Sequence, residues 1–294
     1  MALDINNPID RVEGISREEF QRDYMRPQRP CVIPNFYGED AVFYTQWTIP
    51  YFKEVLGDIQ VGVYDSEEST RKDDRSYKKT SDFMRFGDYL ELLEAGPTSK
   101  RLFLFNIFKH MPALKKDFRF PKITPGVVRS LPLVFFGGTG AHTRIHQDMD
   151  MSNVFLTELQ GRKKVIVFDP QYSDLLYRLP FGVHSSVDIL NPDYERFPGL
   201  EKVKGYSTTL GPRDTIFMPS GWWHDIHYLE PSIGMAMRSL GTVKQKMEGL
   251  YYVGLLTHLD DLFRKVSGEA WYKTKVNIAN KRAERALIKE NASQ

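Results

Sequence analysis

Short apolar segments broken by glycine and proline fill the centre of the chain, between Leu131 and Gly241. They are too short for helices and rich in β-branched and aromatic side chains, so they predict strands. The segments read Leu133-Val-Phe-Phe, Val154-Phe-Leu-Thr-Glu-Leu, Lys164-Val-Ile-Val-Phe, Tyr206-Ser-Thr-Thr-Leu, Thr215-Ile-Phe-Met and Ile233-Gly-Met-Ala-Met. Many short strands at this spacing favour a sandwich or a closed barrel over a sheet with crossover helices. We therefore predict a mainly β core.

The regions on both sides of this core carry helical signals. Ser16-Arg-Glu-Glu-Phe predicts a capping box that begins a short helix, and residues 83–94 have apolar side chains at helical spacing. Beyond Gly241, apolar residues recur at helical spacing from Met247 to Val266. We predict three parts: an N-terminal α/β extension packed on the core (1–130), the β core (131–241) and a C-terminal helical segment (242–294).

Composition limits the classes of protein to which the chain can belong. Hydrophobic residues make up 41% of its 294 residues, which is enough to bury a core. The net charge of +2 gives no strong signal for nucleic acid. Cys31 is the single cysteine, which excludes an internal disulfide and a thiolate-cluster zinc site. Neither a secretory signal nor a membrane span is visible, so we expect a cytoplasmic location.

Charged residues of both signs fill the segment from Asp65 to Thr80, which lacks large aliphatic side chains. This composition predicts a mobile loop. Two interpretations stay open: a solvated surface excursion, or a flap that becomes ordered over a bound partner.

His146, Asp148 and His224 have the residue types and the spacing of a metal site. An imidazole and a carboxylate two residues apart point the same way from one strand, and a second imidazole from a distant strand can complete one face of an octahedron. Such a facial triad without cysteine suits iron(II), or manganese or cobalt by substitution, better than structural zinc. It leaves open positions at which dioxygen can react. His142 and His227 are rival ligands, although His227 would face elsewhere on an extended strand.

Lys163 and Thr143 are candidates for binding an anion near this metal. Lys163 precedes an apolar strand, and a lysine inside a barrel needs an anion to offset its desolvation, which a dicarboxylate co-substrate would supply. Thr143 could donate a hydroxyl hydrogen bond to the same carboxylate. The alternative for Lys163 is a solvated surface residue.

Together, these residues resemble the JmjC group of 2-oxoglutarate-dependent oxygenases, within the cupin superfamily. More narrowly, the chain is similar to the type of asparaginyl hydroxylase that modifies hypoxia-inducible factor. The resemblance rests on Met84-Arg-Phe-Gly-Asp-Tyr-Leu, Arg101-Leu-Phe-Leu, Thr143-Arg-Ile-His-Gln-Asp, Gly161-Arg-Lys, Asn191-Pro-Asp-Tyr-Glu-Arg-Phe-Pro, Gly211-Pro-Arg-Asp and Pro219-Ser-Gly-Trp-Trp-His. It implies a double-stranded β-helix (a jelly-roll, or cupin, fold) with N-terminal α/β additions and C-terminal helices.

The resemblance also implies roles for individual residues. The metal ligands would hold Fe(II), with His146, Asp148 and His224 in that role. Lys163 and Thr143 would bind the distal carboxylate of the co-substrate 2-oxoglutarate. Asn153 resembles a polar residue that members of this group place beside the co-substrate.

Two positions depart from the pattern of the group. Phe103 stands where similar proteins carry a tyrosine that bonds the co-substrate, so one hydroxyl is missing. Arg238 falls near the usual asparagine of the last core strand. It brings a cation into or near the pocket, where it could serve the carboxylates or the substrate.

The activity implied is that of an Fe(II)- and 2-oxoglutarate-dependent dioxygenase. It would use dioxygen to hydroxylate a side chain of a protein or peptide while 2-oxoglutarate is decarboxylated to succinate. Two alternatives stay open: N-methyl-lysine demethylation by the same chemistry, and a non-catalytic cupin that binds a metal or an anion, which Phe103 and Arg238 would favour.

The apolar stripe from Met247 to Val266 has two interpretations. It packs on its own domain, or it forms a homodimer through the C-terminal helices. The related hydroxylase dimerises through helices in this region, so the resemblance favours a homodimer.

Overall fold

The computed structural model of the chain describes residues 3–67, 80–117, 119–129 and 132–292. Within these ranges the strands are β1 (Asp4–Pro8), β2 (Asp10–Arg11), β3 (Cys31–Pro34), β4 (Gln60–Asp65), β5 (Asp82–Arg85), β6 (Lys100–Phe105), β7 (Leu133–Gly137), β8 (His142–His146), β9 (Asn153–Gln160), β10 (Lys163–Phe168), β11 (Lys204–Leu210), β12 (Asp214–Met218), β13 (Trp223–Tyr228) and β14 (Ser232–Ser239).

Helices occupy mainly the two ends of the chain. The α-helices are Arg17–Phe20, Phe43–Gln46, Ile49–Leu56, Phe86–Ala95, Ile107–His110, Val243–Tyr251 and Thr257–Ala292. Shorter 3₁₀ or π turns are Gln21–Met25, Pro112–Asp117, Pro170–Tyr172, Pro198–Lys202 and Tyr252–Leu256. The predicted capping box is present, because Ser16 and Glu19 exchange side chain to backbone hydrogen bonds at the start of the first helix.

The strands form two sheets that face each other. The smaller has the order β1-β11-β10-β13-β8, and the larger has the order β2-β3-β12-β9-β14-β7-β6-β4-β5. The central strands β7 to β14 are divided between the two sheets, with β8, β10, β11 and β13 in the smaller one. Apolar side chains from both sheets meet between them, among them Leu156, Val167 and Ile226. This confirms the predicted double-stranded β-helix core.

An irregularity in the pairing of β8 with β13 decides which side chains face the interior. His146 pairs with His224 and Thr143 pairs with Ile226, so three residue steps along β8 oppose two steps along β13. A one-residue bulge of this kind breaks the alternation of side chains. Thr143 and His146 therefore both line the interior, although residues three apart on a regular strand would face opposite sides.

The N-terminal elements pack on the larger sheet. Phe52 and Phe86 from two helices contact Phe136 of β7 edge to face, with ring centroids 5.5 and 5.1 Å apart. The helix predicted over residues 83–94 begins instead at Phe86, because residues 83–85 belong to β5, which pairs with β4. Most of the predicted mobile loop, residues 68–79, lies outside the described residues. The boundaries of the three predicted parts stay predictions.

The C-terminal helices leave an apolar face open to solvent. Between Val243 and Val266 the exposed apolar residues include Met247, Leu250 and Leu255. The helix Thr257–Ala292 has a kink at Gly268, where φ is 52°. Its far end packs on the smaller sheet through Ala279 and Ala283, which are fully buried. No helix among the described residues combines the length and apolar character needed to cross a membrane, and the cytoplasmic location stays a prediction.

Candidate functional site

A cavity of about 450 Å³ lies between the two sheets. Its wall includes the three predicted metal ligands, His146, Asp148 and His224. Much of the remaining wall is apolar and comes from the larger sheet, with Phe135 of β7 and Leu156 of β9 as examples. A concave, largely apolar pocket with a few convergent polar groups is the usual form of a small-molecule site.

His146, Asp148 and His224 each offer one ligand atom within 4.8 Å of the others. The Nδ1 atoms of His146 and His224 face the backbone carbonyls of Arg144 and Trp222, at 2.8 and 3.2 Å. A carbonyl can accept but not donate, so each Nδ1 must carry the proton and each Nε2 keeps its lone pair. This outer contact is the one that metal-binding histidines usually make. The donor set therefore fits a divalent metal such as iron(II).

Arg238 contacts the carboxylate of Asp148, the third predicted ligand. Its Nη2 donates to Asp148 Oδ1 at 2.8 Å, and its Nη1 donates to Asp150 Oδ1 at 2.9 Å. Burial raises the pKa of Asp148, but Arg238, His224 and His146 outweigh it and hold this pKa well below its usual range. The cation anticipated near the pocket thus pairs with the carboxylate of Asp148. One expectation was wrong in detail, because Asp148 lies beyond β8, which ends at His146.

The rival histidines form a separate cluster on the outer face of the same strands. His142 and His227 stack with ring centroids 4.2 Å apart, and their Nε2 atoms lie 3.0 and 2.5 Å from Asp225 Oδ1. Asp225 is buried, which raises its pKa, but the two histidines lower it to about 2. Neither histidine lines the cavity. His227 faces away from His224, as expected from its position three residues further along the strand.

Lys163 lines the cavity, but an acid of the chain already accompanies it. Its Nζ lies 2.9 Å from Glu158 Oε2, in a contact that is close without being aligned as a hydrogen bond. Both side chains are buried, and Nζ also lies 4.6 Å from the centre of the Tyr228 ring. A Cβ at Gly234 would stand 2.5 Å from Nζ, so the bare backbone of β14 makes room for the ammonium. The charge of Lys163 is therefore offset within the protein.

Asn153 is predicted to contact the co-substrate, but its position does not support this. The next residue, Val154, lines the cavity, so the alternation of β9 turns Asn153 to the other face. Its Oδ1 accepts the backbone N–H of Ser220 at 3.0 Å. The predicted contact would require Asn153 to leave this buried position.

Two residues of the cavity wall have no role in the sequence-based predictions. His184 stacks on His146 with ring centroids 5.8 Å apart, and burial, with Arg144 nearby, lowers its pKa to about 3. Arg101, on β6, is 6% exposed and its Nη1 donates to Thr143 Oγ1 at 2.5 Å. Its guanidinium lies over the ring of Phe103, 4.7 Å from the centroid. His184 stands in no motif that would have identified it, and Arg101 belongs to the segment Arg101-Leu-Phe-Leu, which indicates no role of its own for the arginine.

Comparison with known proteins gives one family and several relatives. The sequence model described as "Cupin-like domain" matches residues 17–238. Human tRNA wybutosine-synthesizing protein 5 is 25% identical over 246 residues, which cover 78% of this chain and 76% of that protein. Lysine-specific demethylase 8 of Danio rerio is 26% identical over 252 residues, 80% of this chain and 59% of that protein. HSPB1-associated protein 1 of Rattus norvegicus is 36% identical over 103 residues.

The matches differ in how much of each relative they span. The match to HSPB1-associated protein 1 covers 33% of this chain and 21% of that protein. The match to lysine-specific demethylase 8 leaves about two fifths of that protein without a counterpart. These proteins therefore support the family of the domain more strongly than any one substrate.

Proposed function

Because the chain belongs to the cupin-like domain family and has a JmjC-type domain over most of its length, we propose that it is an Fe(II)- and 2-oxoglutarate-dependent dioxygenase. Its substrate would be a side chain of a protein or peptide, which it hydroxylates. The main support for the proposal is that the Nε2 atoms of His146 and His224 carry no proton and lie beside the carboxylate of Asp148. Two imidazoles and one carboxylate leave three positions of an octahedron open for co-substrate and dioxygen.

Each residue of the site would have a separate role in the reaction. A bound iron(II) would supply the activation of dioxygen. His146 and His224 would hold it with their neutral rings, fixed in one tautomer by the backbone. Arg238 keeps Asp148 ionised and fixes the direction of its carboxylate. The apolar wall, with Phe135 and Leu156, excludes water and other reductants from the reacting centre.

We expect the protein to form succinate from 2-oxoglutarate at a rate that depends on its substrate. With iron(II), 2-oxoglutarate, dioxygen and the right peptide or protein, succinate should form faster than in reactions without that substrate. Succinate measured against a library of proteins and peptides tests this directly. The matched control is the same reaction with the Asp148→Ala variant. Substrate-dependent succinate that persists in this variant, or its absence across a broad library, would count against the proposal.

Two relatives supply alternative substrates for the same chemistry. Lysine-specific demethylase 8 suggests N-methyl-lysine, for which formaldehyde release from methylated peptides is the readout. tRNA wybutosine-synthesizing protein 5 suggests RNA, so tRNA belongs among the substrates tested. A non-catalytic protein of this fold would bind metal or an anion and form no succinate with any of them.

We also propose that the chain forms a homodimer through the apolar face of residues 243–266. Supporting this, Met247, Leu250 and Val266 are 60%, 65% and 78% exposed, and a soluble monomer rarely exposes so many large apolar side chains together. We expect Leu255→Arg to convert a dimer to a monomer because it places a charge within this face. Light scattering on both proteins measures the change.

The control for this prediction lies on the last helix. Ile288 is 69% exposed and stands far along the chain from the apolar face. Ile288→Arg adds the same charge and should leave the mass of the wild-type particle unchanged. Equal monomeric masses for wild type and Leu255→Arg would exclude the homodimer.

A further inference from the structure

Four cationic side chains line the cavity: Arg101, Arg144, Lys163 and Arg238. Lys163 is paired with Glu158, and Arg238 is paired with Asp148 and Asp150. Arg144 donates to the backbone carbonyl of Ser185 at 3.4 Å. Lys163 and Arg238 therefore already have an acid beside them, and Arg101 is more deeply buried than Arg144.

Arg101 is a buried cation that faces no acid among the described residues. Its hydrogen-bond partner is the neutral hydroxyl of Thr143, its Nε has no partner, and the charged or polar groups that act on it electrostatically are the phenols of Tyr228, Tyr89 and Tyr64. Burial lowers the pKa of Arg101, yet a guanidinium stays protonated at neutral pH. An uncompensated buried charge costs several kcal/mol. A bound anion would therefore stabilise the guanidinium of Arg101.

The hydrogen-bond donors of Arg101 and Thr143 suit a carboxylate. A guanidinium offers a planar fork of N–H donors that binds a carboxylate through two parallel hydrogen bonds. The Phe103 ring lies against the guanidinium and limits its movement. Because Thr143 Oγ1 accepts from Arg101, its own hydroxyl hydrogen remains available to a ligand. Phe103 lacks the hydroxyl expected at its position, and Arg101 supplies stronger donors beside it.

We infer that Arg101, with Thr143 beside it, forms a carboxylate subsite that receives the distal carboxylate of the co-substrate. Lys163 then has a different task, which is to neutralise Glu158 across the interior. This assignment rests on the proposed function, because that function supplies a dicarboxylic 2-oxo acid as the ligand. It transfers the anion-binding role from the lysine expected in this fold to an arginine of the strand β6.

The test compares 2-oxoglutarate binding to four proteins by calorimetry, each loaded with manganese(II) as a redox-inert substitute for iron. They are the wild type, Arg101→Gln, Arg101→Lys and the double variant Lys163→Met with Glu158→Gln. We expect Arg101→Gln to weaken binding at least about 30-fold, since removing one member of a buried charge pair has at least that effect. Arg101→Lys should recover part of the affinity, because it keeps the charge without the fork.

The double variant tests the competing assignment. It removes the Lys163–Glu158 pair without leaving an unpaired charge, so it should bind 2-oxoglutarate more tightly than Arg101→Gln does. If the double variant loses binding and Arg101→Gln stays within about twofold of wild type, Lys163 is the anchor and the inference is overturned. Wild-type protein that binds no 2-oxoglutarate would instead overturn the proposed function, and this difference separates the two failures.

Thermal denaturation of the ligand-free proteins gives a second readout. If the charge of Arg101 is uncompensated in the ligand-free protein, Arg101→Gln removes that unfavourable charge. The melting temperature of the Arg101→Gln protein should then equal or exceed that of the wild type. A structural arginine predicts the opposite, a lower melting temperature. An Arg101→Gln protein that melts earlier, or fails to fold, would show that the guanidinium stabilises the barrel and would overturn the inference.

Discussion

Substrate-dependent succinate formation should fall more than about 100-fold in His224→Ala, and metal binding should weaken by a similar factor. Loss of an outer partner of a metal ligand already costs 10- to 100-fold, so loss of the ligand itself should exceed that range. His224 is 5% exposed and its Nε2 is left bare by the contact of Nδ1 with Trp222. Calorimetry with manganese(II) and a succinate assay measure the two effects.

His227→Ala is the matched control for this prediction. It lies three residues further along β13, and its imidazole contacts Asp225 on the outer face, away from the cavity. We expect it to keep the metal affinity of the wild type. If both alanine variants lose metal equally, the metal is not held specifically by the cluster of His146, Asp148 and His224.

Lys163→Met should destabilise the protein by about 1.4 kcal/mol near pH 8, because Glu158 ionises above about pH 7 in the wild type and at still higher pH without the ammonium. Methionine fills much of the space of the lysine stem, so the main loss is the charge that compensates Glu158. Both side chains are 1% exposed or less. Adding Glu158→Gln should recover most of the loss, because two neutral groups need no compensation. Urea denaturation of the three proteins gives the free energies of unfolding.

The cost of Lys163→Met should depend on pH in a defined direction. Burial raises the pKa of Glu158 to about 7, although Lys163 opposes this. A carboxyl group whose pKa is higher in the folded than in the unfolded state contributes stability that is complete below about pH 4.5 and is lost as pH rises through about 7. Without Lys163 the folded-state pKa rises further, so the loss continues to higher pH.

The measurable outcome is the difference between wild type and Lys163→Met as a function of pH. It should be small near pH 5, where Glu158 is protonated in both proteins, and should grow by at most about 1.4 kcal/mol per pH unit above about pH 7, where Glu158 of the wild type ionises. A difference that stays constant between pH 5 and 8 would mean that lost packing, and not the charge of Glu158, causes the destabilisation.

The β core could be predicted because its signals are local. Each of the six apolar segments is a strand in the structure, and the predicted and observed boundaries agree within a few residues. Strand formation and its interruption by Gly or Pro depend on residues close together in the sequence, so they can be predicted from it. The family assignment followed from motifs and is confirmed. The start of the helix after Arg85 was missed, because the apolar spacing of Phe83 and Met84 fits both a helix and the edge strand they form beside β4.

The site was predicted in part. His146, Asp148 and His224 do converge, which their types and spacing indicated. The partners of these groups could not be predicted, because pairs such as Arg238–Asp148 join residues far apart in sequence. Arg101 and Thr143 meet for the same reason, through the packing of β6 beside the barrel. A single sequence shows the chemical types of these side chains, but it does not show which distant residues they contact in the fold.

The bulge between β8 and β13 makes strand length a determinant of chemistry. If β8 kept its present length but lost the bulge, regular alternation would rotate everything upstream of His146 by half a turn. The imidazole of His142 would then face the interior, and the hydroxyl of Thr143 would turn outward and lose its contact with Arg101. The number of residues between Thr143 and His146 thus decides which side chains of β8 line the cavity, and a deletion there would leave Thr143 facing the interior.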